Sequence, residues 1–134
     1  MSTDALPTLS RTVTQDMVTA YGRINGDNNR LHYDADAARA AGFARPIVHG
    51  ALTAAVLSQA CQAYFGPSWR TTGYLRVRFR RPLLVDDTVT SGGRVVSERQ
   101  LDGATRVTLD VWCTDGAGET VLRGEAEGVR PDGA

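Results

Sequence analysis

The chain contains no lysine: all 15 of its basic residues are arginine, and they are balanced by 15 Asp and Glu for a net charge of zero. Without lysine there is no phosphate-binding loop of the Gly-rich, Lys-bearing kind. Without a basic excess there is no broad nucleic-acid footprint. Cysteine is nearly absent too. Cys61 and Cys113 stand alone in apolar or small-residue stretches and make no disulfide framework. No apolar run approaches the roughly 20 residues that span a bilayer, and the first residues lack a basic-then-apolar leader. The expectation is a soluble cytoplasmic protein with no membrane and no nucleic-acid partner.

What is present is one domain's length of chain. For 134 residues, size scaling gives about 6,800 Å² of folded surface against about 21,000 Å² unfolded. That buries a real core without disulfides or metal. It leaves no room for two catalytic domains, so a site belongs on the single layered structure or at a subunit interface.

Two helices announce themselves by their ends. Thr14 is placed to cap a helix over residues 15–25, with Asp16 at its positive end and Gly26 at its stop. Met17, Tyr21 and Ile24 supply its apolar stripe. Asp34 caps a shorter helix over residues 34–41, with Gly42 at its C′ position and Phe43 packing back over it. Residues 50–64, GALTAAVLSQACQAY, predict a longer helix with no charge on any side, which marks a buried one. Its many alanines let other backbone come close, so a sheet wrapped around it is reasonable.

From residue 72 the period changes to two. Leu75, Val77 and Phe79 alternate with Arg76, Arg78 and Arg80, giving a dry and a wet face, and Pro82 ends or bends the strand. Strands over residues 88–99 and around Val107, Leu109, Val111 and Cys113 flank a turn signal at Asp102-Gly103. A last strand covers residues 120–129. Residues 1–10 read as a loose start and the tail from Pro131 as frayed. The fold class is therefore α+β, a single domain whose antiparallel sheet needs the uncharged helix to cover its apolar face.

Only His32 and His49 titrate near neutrality. His32 closes the segment GDNNRLH, five residues after Asp27. Five is not a helix-face spacing, so the two meet only if the turn folds back, which Asp and Asn side chains promote. If they converge, a carboxylate and an imidazole can hold a water and move protons on and off carbon. Otherwise Asp27 caps a turn and His32 lies on the surface. Gly50 opens the uncharged helix, where the first N–H groups lack intrahelical partners and favour a developing negative oxygen. The alternative is that Gly50 merely allows close packing. His49 reads as structural, bonding to loop backbone, and Tyr33, Trp69 and Trp112 as core or interface residues. Ser58 either lines a pocket or bonds to its own backbone. Cys61 and Cys113 read as packing residues. The arginine row is the wet face of a strand or, alternatively, a contact for phosphate or an acidic carrier protein. Histidine and cysteine spacing matches no usual zinc pattern, so no metal is expected.

GDNNRLH at 26–32 together with RPIVHGAL at 45–52 resembles the MaoC-like hydratases and dehydratases of the hot-dog fold, including the (R)-specific enoyl-CoA hydratases. The likeness runs over about residues 12–128. It implies a hot-dog domain with its sheet curled around the long central helix. It also implies a homodimer with joined sheets and acyl pockets near the interface. Asp27 and His32 match the family's acid/base pair, Gly50 its oxyanion-binding amide and Asn29 its loop-shaping residue. Ser58 matches a position near the acyl pocket. Arg30 stands where many members carry Pro, leaving the loop less fixed. Ala51 stands where Met is common, which changes the volume at the helix start and bears on acyl shape. The implied activity is reversible hydration of a 2-enoyl thioester on coenzyme A or an acyl carrier protein, needing no cofactor. The alternatives are a hot-dog thioesterase and a non-catalytic acyl-binding protein.

Overall fold

The computed structural model describes residues 4–133. Helix α1 (Gln15–Asn25) starts where Thr14 Oγ1 accepts from the Met17 N–H at 3.3 Å and ends on Gly26 at φ 74°. Helix α2 (Ala35–Ala40) is capped by Asp34, whose carboxylate accepts from Asp36 and Ala37 N–H. It closes in a Schellman motif: Gly42, at φ 95°, donates to Arg39 O, and Phe43 donates to Ala38 O. Helix α3 (Gly50–Phe65) is followed by a 3-10 turn at Gly66–Ser68 and the short α4 (Trp69–Thr72).

Five antiparallel strands complete the fold: β1 (Ser10–Thr12), β2 (Tyr74–Phe79), β3 (Thr88–Leu101), β4 (Ala104–Thr114) and β5 (Thr120–Pro131). They lie in the order β1-β3-β4-β5-β2. On β4, Val107, Leu109, Val111 and Cys113 are all fully buried, each aliphatic one contributing about 1.5–3 kcal/mol through burial. They meet Val56, Leu57, Ala60, Cys61, Tyr64 and Phe65 of α3 in one core. The sheet comes close enough at Gly128 that a side chain there would press on the Phe65 ring at 3.1 Å.

Several expectations need correction. The loose start holds only in part: Met1–Thr3 lie outside the described residues, but Leu6 is in the core and Ser10–Thr12 pair with Thr88–Thr90. The tail is not frayed at Pro131, which pairs with Ala104, and Asp132 accepts from Gln100 and Thr105. In α1 the inward face carries Val18 and Gly22, while Ile24 is 84% exposed. The helix turns that way because Tyr33 packs against Gly22. Helix α3 is not covered all round, since Ala51, Ala55, Gln59 and Ala63 form an exposed, uncharged stripe. On β2, Leu75 and Val77 pack on the core, but Phe79 is 54% exposed at the open edge of the sheet. No helix among the described residues is long and apolar enough to cross a membrane.

Candidate active site

The segment after α1 folds back through three Asx turns in series. Asn25 Oδ1 accepts from Asp27 N–H, Asp27 Oδ1 from Asn29 N–H, and Asn29 Oδ1 from Leu31 N–H, at 2.8–3.0 Å. A 3-10 turn at Arg30–His32 then carries the imidazole inward. Each side chain satisfies a backbone N–H two residues on, so the turn needs no proline to form. Arg30 instead pairs with Asp34 at the surface.

The segment around Ile47 holds this turn against the sheet. Ile47 N–H donates to Leu31 O, Val48 N–H to Leu83 O and Val85 N–H to Pro46 O. His32 Nδ1 lies 2.8 Å from Ile47 O. A carbonyl only accepts, so Nδ1 carries a proton and Nε2 is left to face Asp27. That Nε2 is 3.4 Å from Asp27 Oδ2. The Asn29 N–H, foremost, holds the Asp27 carboxyl below the usual carboxylate range. The two histidines add to this, and partial burial opposes it. A carboxylate oxygen and an imidazole nitrogen thus face each other on one turn.

His49 does not bond to loop backbone as expected. Buried at 4% exposure, it stacks on His32 with ring centroids 3.9 Å apart, and Tyr21 lies edge-on at 5.0 Å. The Tyr33 hydroxyl donates to Asp27 O and lies 3.1 Å from His49 Nε2. Its one proton is committed, so His49 Nε2 donates to it, leaving the buried Nδ1 without a partner among the described residues. Burial, and then the neighbouring His32, push the His49 pKa down. Tyr33 is pushed up by burial and the Asp27 charge. Gly22 makes this possible, because a Cβ there would lie 1.9 Å from the Tyr33 oxygen.

Asp27, His32 and His49 place one potential ligand atom each within 4.8 Å of the others. The His32 and His49 rings stack 23° from parallel, and the contact with Tyr33 leaves His49 Nε2 a proton donor instead of a lone-pair ligand. The arrangement therefore suits proton transfer better than metal binding.

A cavity of about 370 Å³ opens beside His32, lined by Gly50, Thr53 and Phe79 and by Val48 and Leu83. Gly50 is the first residue of α3, and its N–H has no acceptor among the described residues. Phe79 covers it closely: a Cβ on Gly50 would sit 3.0 Å from the ring. The structure thus brings together Asp27, His32 and Asn29 on one turn, with His32 and Gly50 on one cavity.

Ser58 and Ala51 lie elsewhere. Ser58 Oγ accepts from Trp69 Nε1 at 3.1 Å and lines a separate groove of about 580 Å³. The Ala51 side chain is exposed at the start of α3. The sequence reading missed Thr53 and Phe79 as lining and Tyr33 as the link between loop and His49. The adjacency of Tyr33 to His32 was the available signal.

The MaoC like domain family matches residues 2–116, well over half of the chain. The chain belongs to the MaoC-like family. Among curated relatives of this MaoC-like protein, the mitochondrial 3-hydroxyacyl-acyl-carrier-protein dehydratase FERN of Solanum lycopersicum is 30% identical over 122 residues. That match covers 91% of this chain and 73% of the relative. The (R)-specific enoyl-CoA hydratase of Aeromonas caviae is 30% identical over 118 residues, covering 79% and 82%. A solved (R)-hydratase from A. caviae involved in PHA biosynthesis superposes with TM-score 0.78 at 28% identity. The superposition covers 93% of the MaoC-like chain and 92% of the hydratase. R-hydratase PhaJ1 from Pseudomonas aeruginosa gives TM-score 0.80 at 26% identity, covering 93% and 79%. Five antiparallel strands around the long α3 are thus a hot-dog fold.

Proposed function

We propose that this protein is a hydro-lyase that reversibly adds water across the C2=C3 bond of a 2-enoyl thioester, giving the (R)-3-hydroxyacyl thioester. The observation that carries the reading is the meeting of His32 Nε2 and Asp27 Oδ2 at 3.4 Å, on the turn beside the cavity where the Gly50 N–H is free. Water held by the pair loses a proton as its oxygen bonds to C3. The C=C electron pair moves toward the thioester carbonyl, whose oxygen takes enolate charge against the Gly50 N–H and the positive end of α3. The pair then returns a proton to C2, so one water is added with no group leaving. Asp27 and His32 share the acid and base roles as a coupled unit. Asn29 shapes the turn. The apolar side of the cavity at Val48, Phe79 and Leu83 receives the acyl chain.

The working form is a homodimer. Among the described residues β2 pairs only with β5, leaving one backbone edge open, with Tyr74 49% and Phe79 54% exposed along it. Open edges of this kind are templates for pairing. Both cysteines are free and buried, with thiol pKa values pushed up to about 12 by burial, as suits a reducing cytoplasm.

The test is incubation with crotonyl-CoA, following both enoyl absorbance and free thiol. Loss of absorbance without thiol supports hydration. Thiol release from a saturated acyl-CoA would make the protein a thioesterase, and binding without turnover an acyl-binding protein. Light scattering at a mass of one chain would overturn the dimer.

A further inference from the structure

The arginines of β2 and β5 have a use beyond a wet face. The register sets Arg78 directly opposite Arg123, and like charges so placed destabilise a sheet. Arg123 is partly offset by Asp110 at 2.8 Å, and Arg81 reaches Glu119 only at 3.7 Å. Arg80 has neither an ion pair nor a side-chain hydrogen bond among the described residues. In a chain whose total charge is zero, this local excess is not general basicity.

These side chains frame a cleft of about 380 Å³, lined by Arg80, Arg81, Arg123, Thr120 and Glu119. Three guanidiniums against Glu119 in the lining and Asp110 on Arg123 leave a net charge of about +1, with guanidinium forks and a hydroxyl as donors. That set has the donors and the sign that a phosphate group takes. Arg80 and Arg81 also line the cavity that holds His32 and Gly50, so the two spaces share a wall. The backbone there is fixed, since both Arg80 and Arg81 donate their N–H to Val121 O.

We propose that the Arg80–Arg81–Arg123 cleft binds a phosphate of the arm that carries the thioester, with Arg80 as its main anchor. The inference rests on the hydratase reading, because a thioester borne on phosphopantetheine has its acyl group at one end and phosphate at the other. The shared chemistry is phosphate on pantetheine, whether the arm belongs to coenzyme A or to a carrier protein.

Crotonyl thioesters of pantetheine, 4′-phosphopantetheine, coenzyme A and acyl carrier protein test it in wild type and Arg80→Gln. Wild type is expected to show a KM at least about tenfold lower for the phosphopantetheine than for the pantetheine thioester, as hydrogen bonds to charged groups allow. In R80Q that ratio falls to about one. An effect on the phosphopantetheine and carrier-protein substrates locates the contact at the arm's own phosphate. An effect on coenzyme A alone, which locates the contact at the nucleotide end, overturns the proposal. A wild-type ratio of one with every phosphorylated carrier, or a ratio R80Q leaves intact, overturns the proposal. Calorimetric binding of free 4′-phosphopantetheine against pantetheine separates the two readings. Arg80-dependent phosphate preference without turnover keeps the cleft and ends the hydratase. Turnover with no preference in KM or binding does the reverse.

Discussion

The imidazoles of His32 and His49 stack 3.9 Å apart and 23° from parallel, yet only His32 lines the cavity. Burial, and then the neighbouring His32 ring, hold the His49 pKa below its ordinary value. His49 is thereby a positioning residue: it supports the His32 ring from behind and, through Tyr33, the backbone of Asp27.

Stability should fall on mild acidification. The His49 pKa lies below its ordinary value in the folded chain, while the unfolded chain titrates near 6.5. Between those values the unfolded state binds more protons, so this contribution is full above about pH 6.5 and is lost as pH drops toward the folded pKa. Tm measured from pH 8 to 5 should decline, and His49→Gln should flatten the decline. An unchanged slope would assign it to another group.

The free amide of Gly50 can be deleted without breaking the helix. Pro is tolerated at the first helical position, and His49, at φ −57° and ψ 135°, already has the conformation a residue before proline prefers. Gly50→Pro, which brings the same Cβ toward the Phe79 ring as Gly50→Ala does, should stay folded and lose about 10²–10³ in kcat for crotonyl-CoA. Gly50→Ala adds a Cβ at 3.0 Å from the half-exposed Phe79 ring but keeps the N–H, and should retain most activity. Equal losses in both would point to crowding and not to the amide.

Asp27→Asn and His32→Ala should each cost about 10²–10⁴ in kcat, the range of positioned acid–base groups. Because the two act on one water, the double variant should be little worse than the poorer single one. Multiplicative losses measured in single-turnover kinetics would mean separate roles.

The Tyr33–Gly22 contact should show coupling. Gly22→Ala puts a Cβ 1.9 Å from the Tyr33 oxygen, an overpacking that should cost about 1–3 kcal/mol by denaturant unfolding. Tyr33→Phe removes that oxygen and two hydrogen bonds, so the double variant should be less destabilised than the sum. Simple additivity would mean that Tyr33 moves aside freely.

The sequence by itself determined what depends on near neighbours. Thr14, Asp34 and Gly42 mark helix ends because caps act over three or four residues. The alternation from Val107 to Cys113 marks a strand because one face is dry. The Asp and Asn residues of the 26–32 segment announce a turn because their side chains bond two residues on. Only the tertiary structure decided the rest. β1 pairs with β3 about 80 residues away, as in the Ser10–Thr90 hydroxyl contact, and so short a strand has no period of its own to read. Which side of α1 turns inward depends on Tyr33 reaching Gly22, so Ile24, on the apolar stripe by its spacing, lies in solvent. His49 found its place under His32 because the hydrogen bonds of the Ile47 segment join two motifs that are separate in the chain.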